Sequence, residues 1–149
     1  RVPFVKDLMN NTSRDASGSG YITTLLGRKC RFDKWEEAVY NPGVLKIPMS
    51  HAEAEKKYGG ESIRRAFTYK ALNKLIQGSA ADMTKKAMLD LYKEGIIPHI
   101  QVHDELDISV EKGSDQHKKI IEIMENAVKL KIPNKVDYES GDNWGEIKG

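Results

Sequence analysis

Three ionisable residues in a row, His103-Asp104-Glu105, lie between two stretches of alternating apolar and polar residues. A tight turn there presents side chains outward from a rigid scaffold, which is how a carboxylate is held in place for a metal ion. Mg²⁺ prefers oxygen ligands and takes one or two carboxylates together with substrate phosphates. The same tripeptide also fits an ordinary polar hairpin tip, because turns favour Asp. A second pair stands upstream. Asn73 and Gln77 are four residues apart, so on a helix their amides share one face. Every base pair offers acceptors in the minor groove, so amide donors aimed there test base-pair geometry without reading sequence. Alternatively, the two amides cap a helix break near Gly78.

The elements that must position these groups are legible as periodicity. Ile100, Val102, Leu106, Ile108 and Val110 alternate with Gln101, His103, Glu105, Asp107 and Ser109, which predicts a half-buried hairpin with its tip at 103–105. Upstream, Ile63, Phe67, Ala71 and Leu75 recur at helical spacing, with Ser62 as a good N-cap residue. Gly78 is a weak point. A second helical stretch, Ala80–Lys93, places Met83, Ala87 and Leu91 on one face, and Gly95 ends it as a left-handed cap. A helix over 1–13 is predicted from Val5, Leu8 and Met9, broken by Ser17-Gly18-Ser19-Gly20. Tyr21–Leu25 and Lys29–Phe32 read as a small hairpin around Leu26-Gly27-Arg28. Residues 34–60, interrupted by Pro42, Gly43, Pro48 and Gly59-Gly60, are readable only at His51–Tyr58, a short helix. Ser114–Lys129 forms an amphipathic helix with Ile120, Ile121, Met124 and Val128 inward, and Lys135–Glu139 a last strand. There is no internal repeat.

Composition narrows the classes. In 149 residues, 31% are charged and 39% hydrophobic, as in globular rather than disordered chains. No apolar run approaches the roughly 18 residues of a membrane helix, and Arg1-Val2-Pro3-Phe4 lacks the apolar core of a secretion signal. The missing initiator Met predicts that the chain starts inside a longer gene product. The single Cys30 cannot form an internal disulfide, which suits a reducing compartment and a structural thiol. The net charge of +2, from 24 basic and 22 acidic residues, does not by itself predict nucleic-acid binding. Local basic patches, Arg28-Lys29-Cys30-Arg31, Arg64-Arg65 and Lys85-Lys86, would have to carry it.

Five segments, in order, resemble family A DNA polymerases of the bacterial polymerase I type. Gln101-Val102-His103-Asp104-Glu105-Leu106 is similar to that family's Q-V-H-D-E-L signature, motif C. Asn73-Lys74-Leu75-Ile76-Gln77-Gly78-Ser79-Ala80-Ala81-Asp82 resembles its N-x-x-x-Q-G-[TS]-A-A-D segment. Gly20–Arg28 resembles G-Y-x-x-T-L-x-G-R; Pro3, Val5 and Met9 match P-x-V-x-x-x-M; and Gly141-Asp142-Asn143-Trp144 resembles a closing G-x-x-W. The resemblance implies an α+β fold: part of a polymerase palm, with the motif C hairpin and the last strand in an antiparallel sheet packed on one face by helices 62–93 and 114–130. It implies that residues 1–149 are a C-terminal fragment of a polymerase domain. Asp104 would be a ligand of catalytic Mg²⁺ in a two-metal site, with Glu105 beside it shaping the site. His103 would lie near the primer terminus. Asn73 and Gln77, and more weakly Gln101, would touch the minor groove. Arg28 and Arg64 would sit near the nucleic-acid backbone or support the palm, and Lys85 and Lys86 would face solvent. The implied partners are primer-template DNA and deoxynucleoside triphosphates, and the implied location is the cytoplasm of a bacterial or phage-infected cell.

The sequence also departs from the family pattern. Tyr69 stands where members commonly carry Arg one helical turn before the minor-groove Asn, and it brings no charge. Residues 34–60 are longer than in typical bacterial members; Trp35, Tyr40 and Tyr58 there suit a satellite core better than a nucleic-acid contact. The family's other catalytic aspartate element, D-Y-S-x-[IL]-E-x-R, has no counterpart here, nor has its nucleotide-binding helix. Two-metal chemistry needs carboxylates from both elements. The chain alone is therefore expected to be inactive, to expose a sheet edge and an apolar patch, and to self-associate or depend on the missing N-terminal polymerase segments. Two other readings share the sequence: a non-catalytic palm fragment that binds DNA or a partner, and a metal-dependent hydrolase built on His103, Asp104 and Glu105. The hydrolase suffers because His51, His99 and His117 show no ligand spacing.

Overall fold

The first helix, α1 (Val5–Ser19), runs six residues beyond its expected end. The Ser-Gly run does not break it, because Ser17 and Ser19 donate their hydroxyls to the carbonyls of Ser13 (2.9 Å) and Asp15 (2.7 Å) one turn back. Thr12 and Ala16, also one turn apart, are buried. Gly20 ends the helix at φ 81°, and its N–H returns to the Ala16 carbonyl at 3.1 Å. The computed structural model describes residues 4–39, 43 and 45–147; Pro3, Tyr40 and Pro42 lie outside the described residues. The chain divides into two units, Arg1–Ser79 and Ala80–Gly149.

In the first unit, β1 (Tyr21–Thr23) and β2 (Lys29–Arg31) form the expected antiparallel hairpin. Ile22 faces Cys30 across it, so both side chains enter one core with Ala16, Phe32, Ala71 and Leu75. Tyr21, Thr23, Lys29 and Arg31 take the other face. The structural-thiol reading of Cys30 is consistent with its place against this core.

The segment that resisted reading at 34–60 contains β3 (Trp35–Glu37) and the expected helix α2 (His51–Tyr58). Its partner is unexpected. Ile63–Arg65, predicted to start a helix capped by Ser62, is instead a strand, β4, antiparallel to β3. Cross-strand partners override the helical pattern: Arg64 pairs with Glu36 at 2.9 Å, and the Arg65 guanidinium lies 4.6 Å from the Trp35 ring centre. Trp35 also meets His51 edge-on at 4.6 Å. Phe67, at φ 63° and exposed, interrupts the chain before a 3-10 turn at 68–70. Only then does α3 (Ala71–Lys93) begin, and it is continuous through Gly78.

In the second unit, residues 80–93 of α3 end in a Schellman motif. Gly95 at φ 75° returns its N–H to Tyr92, and the Ile96 N–H reaches the Leu91 carbonyl at 2.9 Å. Leu91 and Ile96 are buried together with Ile120 of α4 (Gln116–Asn126). Leu106, Ile108, Val110, Ile123 and Met124 pack around them. Helix α4 is shorter than expected, and Ile123 rather than Ile121 joins this cluster. The hairpin is β5 (Ile100–Val102) with β6 (Glu105–Asp107). The predicted strand at 135–139 does not form. Its Val136 N–H donates to Glu125 of α4 (3.2 Å) and Tyr138 stacks on His117, so side chains hold this segment in place of a ladder. The fold is α+β, with three separate two-stranded antiparallel sheets among the described residues rather than one palm sheet.

Candidate polymerase site

Two-residue turns change which side chains share a face. In the β5–β6 hairpin, Ile100 stands opposite Asp107, Gln101 opposite Leu106 and Val102 opposite Glu105. Opposed residues point to the same side. Leu106 therefore shares its face with Gln101 and packs on the core, while Ile100 and Val102 point the other way with Glu105 and Asp107. Ile100 and Val102 remain 42% and 39% exposed. The single apolar face expected from the alternation is thus split in two by the turn.

The turn itself is His103-Asp104. His103 is held at φ 53°, a conformation that favours glycine. A brace accompanies it: Gln101 donates its side-chain amide N–H to the His103 carbonyl at 2.6 Å. Gln101 is thereby committed to the turn, a use its spacing did not reveal. His103, Asp104 and Glu105 are all exposed. The arrangement presents two carboxylates and an imidazole to solvent at the end of a short, braced ribbon.

Asn73 and Gln77 lie in the first unit, both exposed, one turn apart on α3. The β1–β2 loop clamps the helix behind them. Arg28 donates to the Gly78 carbonyl (2.9 Å), and the Leu25 N–H donates to Ser79 Oγ (3.0 Å), which itself donates to the Leu75 carbonyl (2.7 Å). Gly78 is a site of close approach, not a break. A Cβ there would stand 3.0 Å from the Thr24 methyl and 3.2 Å from Arg28. The capping role considered for the two amides has no helix end to serve. Arg28 acts as a support for α3. Arg64 is paired with Glu36 and remains half exposed. Lys85 faces solvent, and Lys86 pairs with Asp90, whose carboxyl is held below the ordinary range chiefly by that hydrogen bond.

Tyr69 is 69% exposed, and beside it stand two residues that the sequence reading passed over. Lys70 places its ammonium 5.2 Å from the Phe67 ring centre and 5.6 Å from that of Tyr69; the Lys74 ammonium is 4.6 Å from that of Phe32. Their four-residue spacing beside Asn73 and Gln77 was the signal available.

The hard carboxylate oxygens at the turn suit Mg²⁺. Among the described residues, no group of three or more His, Cys, Asp or Glu side chains is placed to hold a metal ion. The donor set thus fits a contribution to a shared site rather than a complete one.

Comparison with known proteins agrees with the motifs. The family model described as DNA polymerase family A matches residues 1–146. The chain is 37% identical over 149 residues to a DNA-directed DNA polymerase of Pseudomonas phage M6, covering all of this chain and 18% of that protein. It is 35% identical over 154 residues to DNA polymerase I of Bacillus caldotenax, covering 98% of this chain and 15% of that one. In structure it is similar to the polymerase domain of Pol1 from M. smegmatis, solved in complex with DNA primer-template and dNTP. The TM-score is 0.59 at 29% identity, over 87% of this chain and 20% of that one. The chain spans less than a fifth of the curated relatives above, and with its ordered motifs and matching fold it belongs to DNA polymerase family A.

Proposed function

We propose that this chain is the part of a DNA-directed DNA polymerase that supplies one catalytic carboxylate and the contacts to the newest base pairs. The observation that carries this reading is the braced His103-Asp104 turn, which offers Asp104 from a ribbon anchored by Leu106, in a chain of this family. Asp104 would hold Mg²⁺, with Glu105 shaping the site beside it. When bound, the metal supplies Lewis-acid activation of the primer 3′ hydroxyl and charge neutralisation at the triphosphate. Asn73 and Gln77 donate to minor-groove acceptors, testing pair geometry. His103 sits near the primer terminus. Primer-template DNA and deoxynucleoside triphosphates are the partners, and the cytoplasm of a bacterial or phage-infected cell is the place of action. No helix among the described residues is long and apolar enough to cross a membrane.

The isolated chain is inactive on this reading, because a second catalytic carboxylate must come from elsewhere. It depends on the missing polymerase segments, or self-associates, through the exposed Ile100–Val102 face. The test is primer extension with Mg²⁺ and four deoxynucleotides, comparing the chain alone with the chain plus a polypeptide carrying the missing segments. Extension by the mixture alone, abolished by Asp104→Ala, supports the reading. Processive extension by the pure chain overturns the claim of inactivity.

A second reading, a DNA- or partner-binding palm fragment without catalysis, is favoured by the same exposed apolar face. Duplex binding with no extension in either mixture selects it. A hydrolase would need the chain's own donors to hold its metal, and the described residues bring no such group together.

A further inference from the structure

We propose that Lys70 and Lys74 form a phosphate clamp that grips one strand of the duplex while Asn73 and Gln77 face its minor groove. This rests on the minor-groove reading of the two amides and goes beyond it to a backbone contact and its residues. Residues 73 and 77 lie along one stripe of α3, and Lys74 lies on the neighbouring one, turned by about 100°; Lys70 ends the 3-10 turn that leads directly into α3. A ligand whose groove meets the first stripe has its bordering backbone at the second. Along the axis the two lysines are separated by about 6 Å, one helical turn. A duplex strand carries one phosphate per nucleotide, so a pair of lysines at this spacing can each reach a different phosphate of one strand.

Three observations on the side chains fit this use. Both lysines are exposed. Neither is in an ion pair among the described residues, in contrast to Lys86, Lys93, Lys112, Lys118 and Lys119, each paired with a carboxylate. Both ammonium groups lie over aromatic rings, Lys74 on buried Phe32 and Lys70 within 5.6 Å of the ring centres of Phe67 and Tyr69. A ring face restrains the stem and stabilises the cation while leaving N–H donors free for phosphate oxygens. The charge absent at Tyr69 is thus present one residue away, aimed at the backbone and not at base edges.

The test is binding of the full chain to a fluorescent primer-template duplex across a salt series. For the unsubstituted chain, log Kobs falls with log salt by about 0.9 per phosphate neutralised. Lys70→Gln/Lys74→Gln should make that slope shallower by about 2 and weaken binding about 10- to 100-fold at 0.1 M salt, equally for matched and mismatched termini. Lys70→Arg/Lys74→Arg should restore both. The control Lys56→Gln/Lys57→Gln, the same charge change on α2, should leave the slope within error. Unchanged far-ultraviolet dichroism and melting confirm that the variants fold. A slope unaltered by the 70/74 change, or lowered as much by the 56/57 control, overturns the clamp. Asn73→Ala/Gln77→Ala separates the two ideas, because it should erase discrimination between matched and mismatched termini and spare the slope. If it does so while the 70/74 variant behaves like the unsubstituted chain, the clamp fails and the minor-groove reading stands. If the unsubstituted chain binds no duplex at low salt, both fail.

Discussion

The two hairpins of this molecule have the same size and opposite economies. β1–β2 and β5–β6 each pair three residues with three. In the first, the connection places Ile22 opposite Cys30, so one face is apolar and buried while the other carries Tyr21, Thr23, Lys29 and Arg31. In the second, the two-residue turn places Ile100 and Val102 on the face that Leu106 does not use. A ribbon with one apolar face is satisfied by one layer of core. A ribbon with apolar residues on both faces needs cover on both, as interior strands of larger sheets do. The first hairpin is finished within its unit. The second is finished on one side only, and that is the hairpin that carries Asp104. If Asp104 has the proposed role, a carboxylate on a ribbon whose second face awaits cover would tie that role to assembly with further polymerase segments.

If this contrast is right, the second hairpin stands or falls with its single floor. Leu91 is fully buried in the cluster, with Ile96 and Ile120, on which Leu106 and Ile108 pack. Leu91→Ala should cost about 2–5 kcal/mol and loosen the β5–β6 ribbon. Urea unfolding followed by Trp144 fluorescence, in the second unit, should shift strongly, while Trp35 in the first unit should respond less. Equal shifts at both tryptophans would show that the units are not independently stabilised.

The first hairpin rests instead on a close approach. The Arg65 guanidinium lies over Gly20, where a Cβ would stand 2.7 Å from its central carbon, and Arg65 also donates to the Phe32 carbonyl at 3.1 Å. Gly20→Ala must adopt φ 81° and displace that side chain. About 1–3 kcal/mol should be lost, with a change in Trp35 emission as Arg65 leaves its ring. Unaltered emission would mean that Arg65 does not tie α1 to β3.

These contrasts explain what was legible beforehand. Elements set by local signals were readable: the short helix α2, the Gly95 stop and the existence of both hairpins. Elements set by distant partners were not. Ile63–Arg65 had helical spacing, yet Glu36 and Trp35 made it a strand. Lys135–Glu139 had strand composition, yet Glu125 and His117 claimed its donors and its ring. The candidate residues 73, 77 and 103–105 were found from motif and spacing. The intramolecular partners of Gln101, Arg28 and Arg64 — the His103 carbonyl, the Gly78 carbonyl, Glu36 — were not legible, because each is fixed by a turn or by tertiary packing. The split of apolar faces in β5–β6 follows from turn length, which periodicity alone leaves open.

A smaller effect probes a local device in the first unit. In α2, the Ser50 hydroxyl accepts from the Glu53 N–H, and Glu53 accepts from the Ser50 N–H at 2.9 Å. The Ser50 side chain, then its backbone, holds the Glu53 carboxyl below its ordinary range. A depressed carboxylate pKa contributes stability above the unfolded value and loses it as pH falls through the folded one. Ser50→Ala should cost about 1 kcal/mol near neutrality and should weaken the pH dependence of α2 fraying as pH falls below the ordinary glutamate range. Amide hydrogen exchange of residues 51–58 reads both, and fraying that is independent of pH in the unsubstituted chain would remove Glu53 from the cap.

The smallest change in stability belongs to the uncovered face, and it carries the most information about it. Val102 is exposed, so Val102→Thr keeps the β-branched shape and should alter the chain's own stability by no more than about 0.5 kcal/mol. Ile22→Thr, the matched change on the finished hairpin, buries a hydroxyl and should cost several times more. If the Ile100–Val102 face is where another strand or copy docks, Val102→Thr should nonetheless weaken self-association by light scattering, or raise the concentration of complementing polypeptide needed for primer extension. A stable variant that associates and complements as before would mean that this face stays in water, and that the difference between the two hairpins is one of packing with no consequence for assembly.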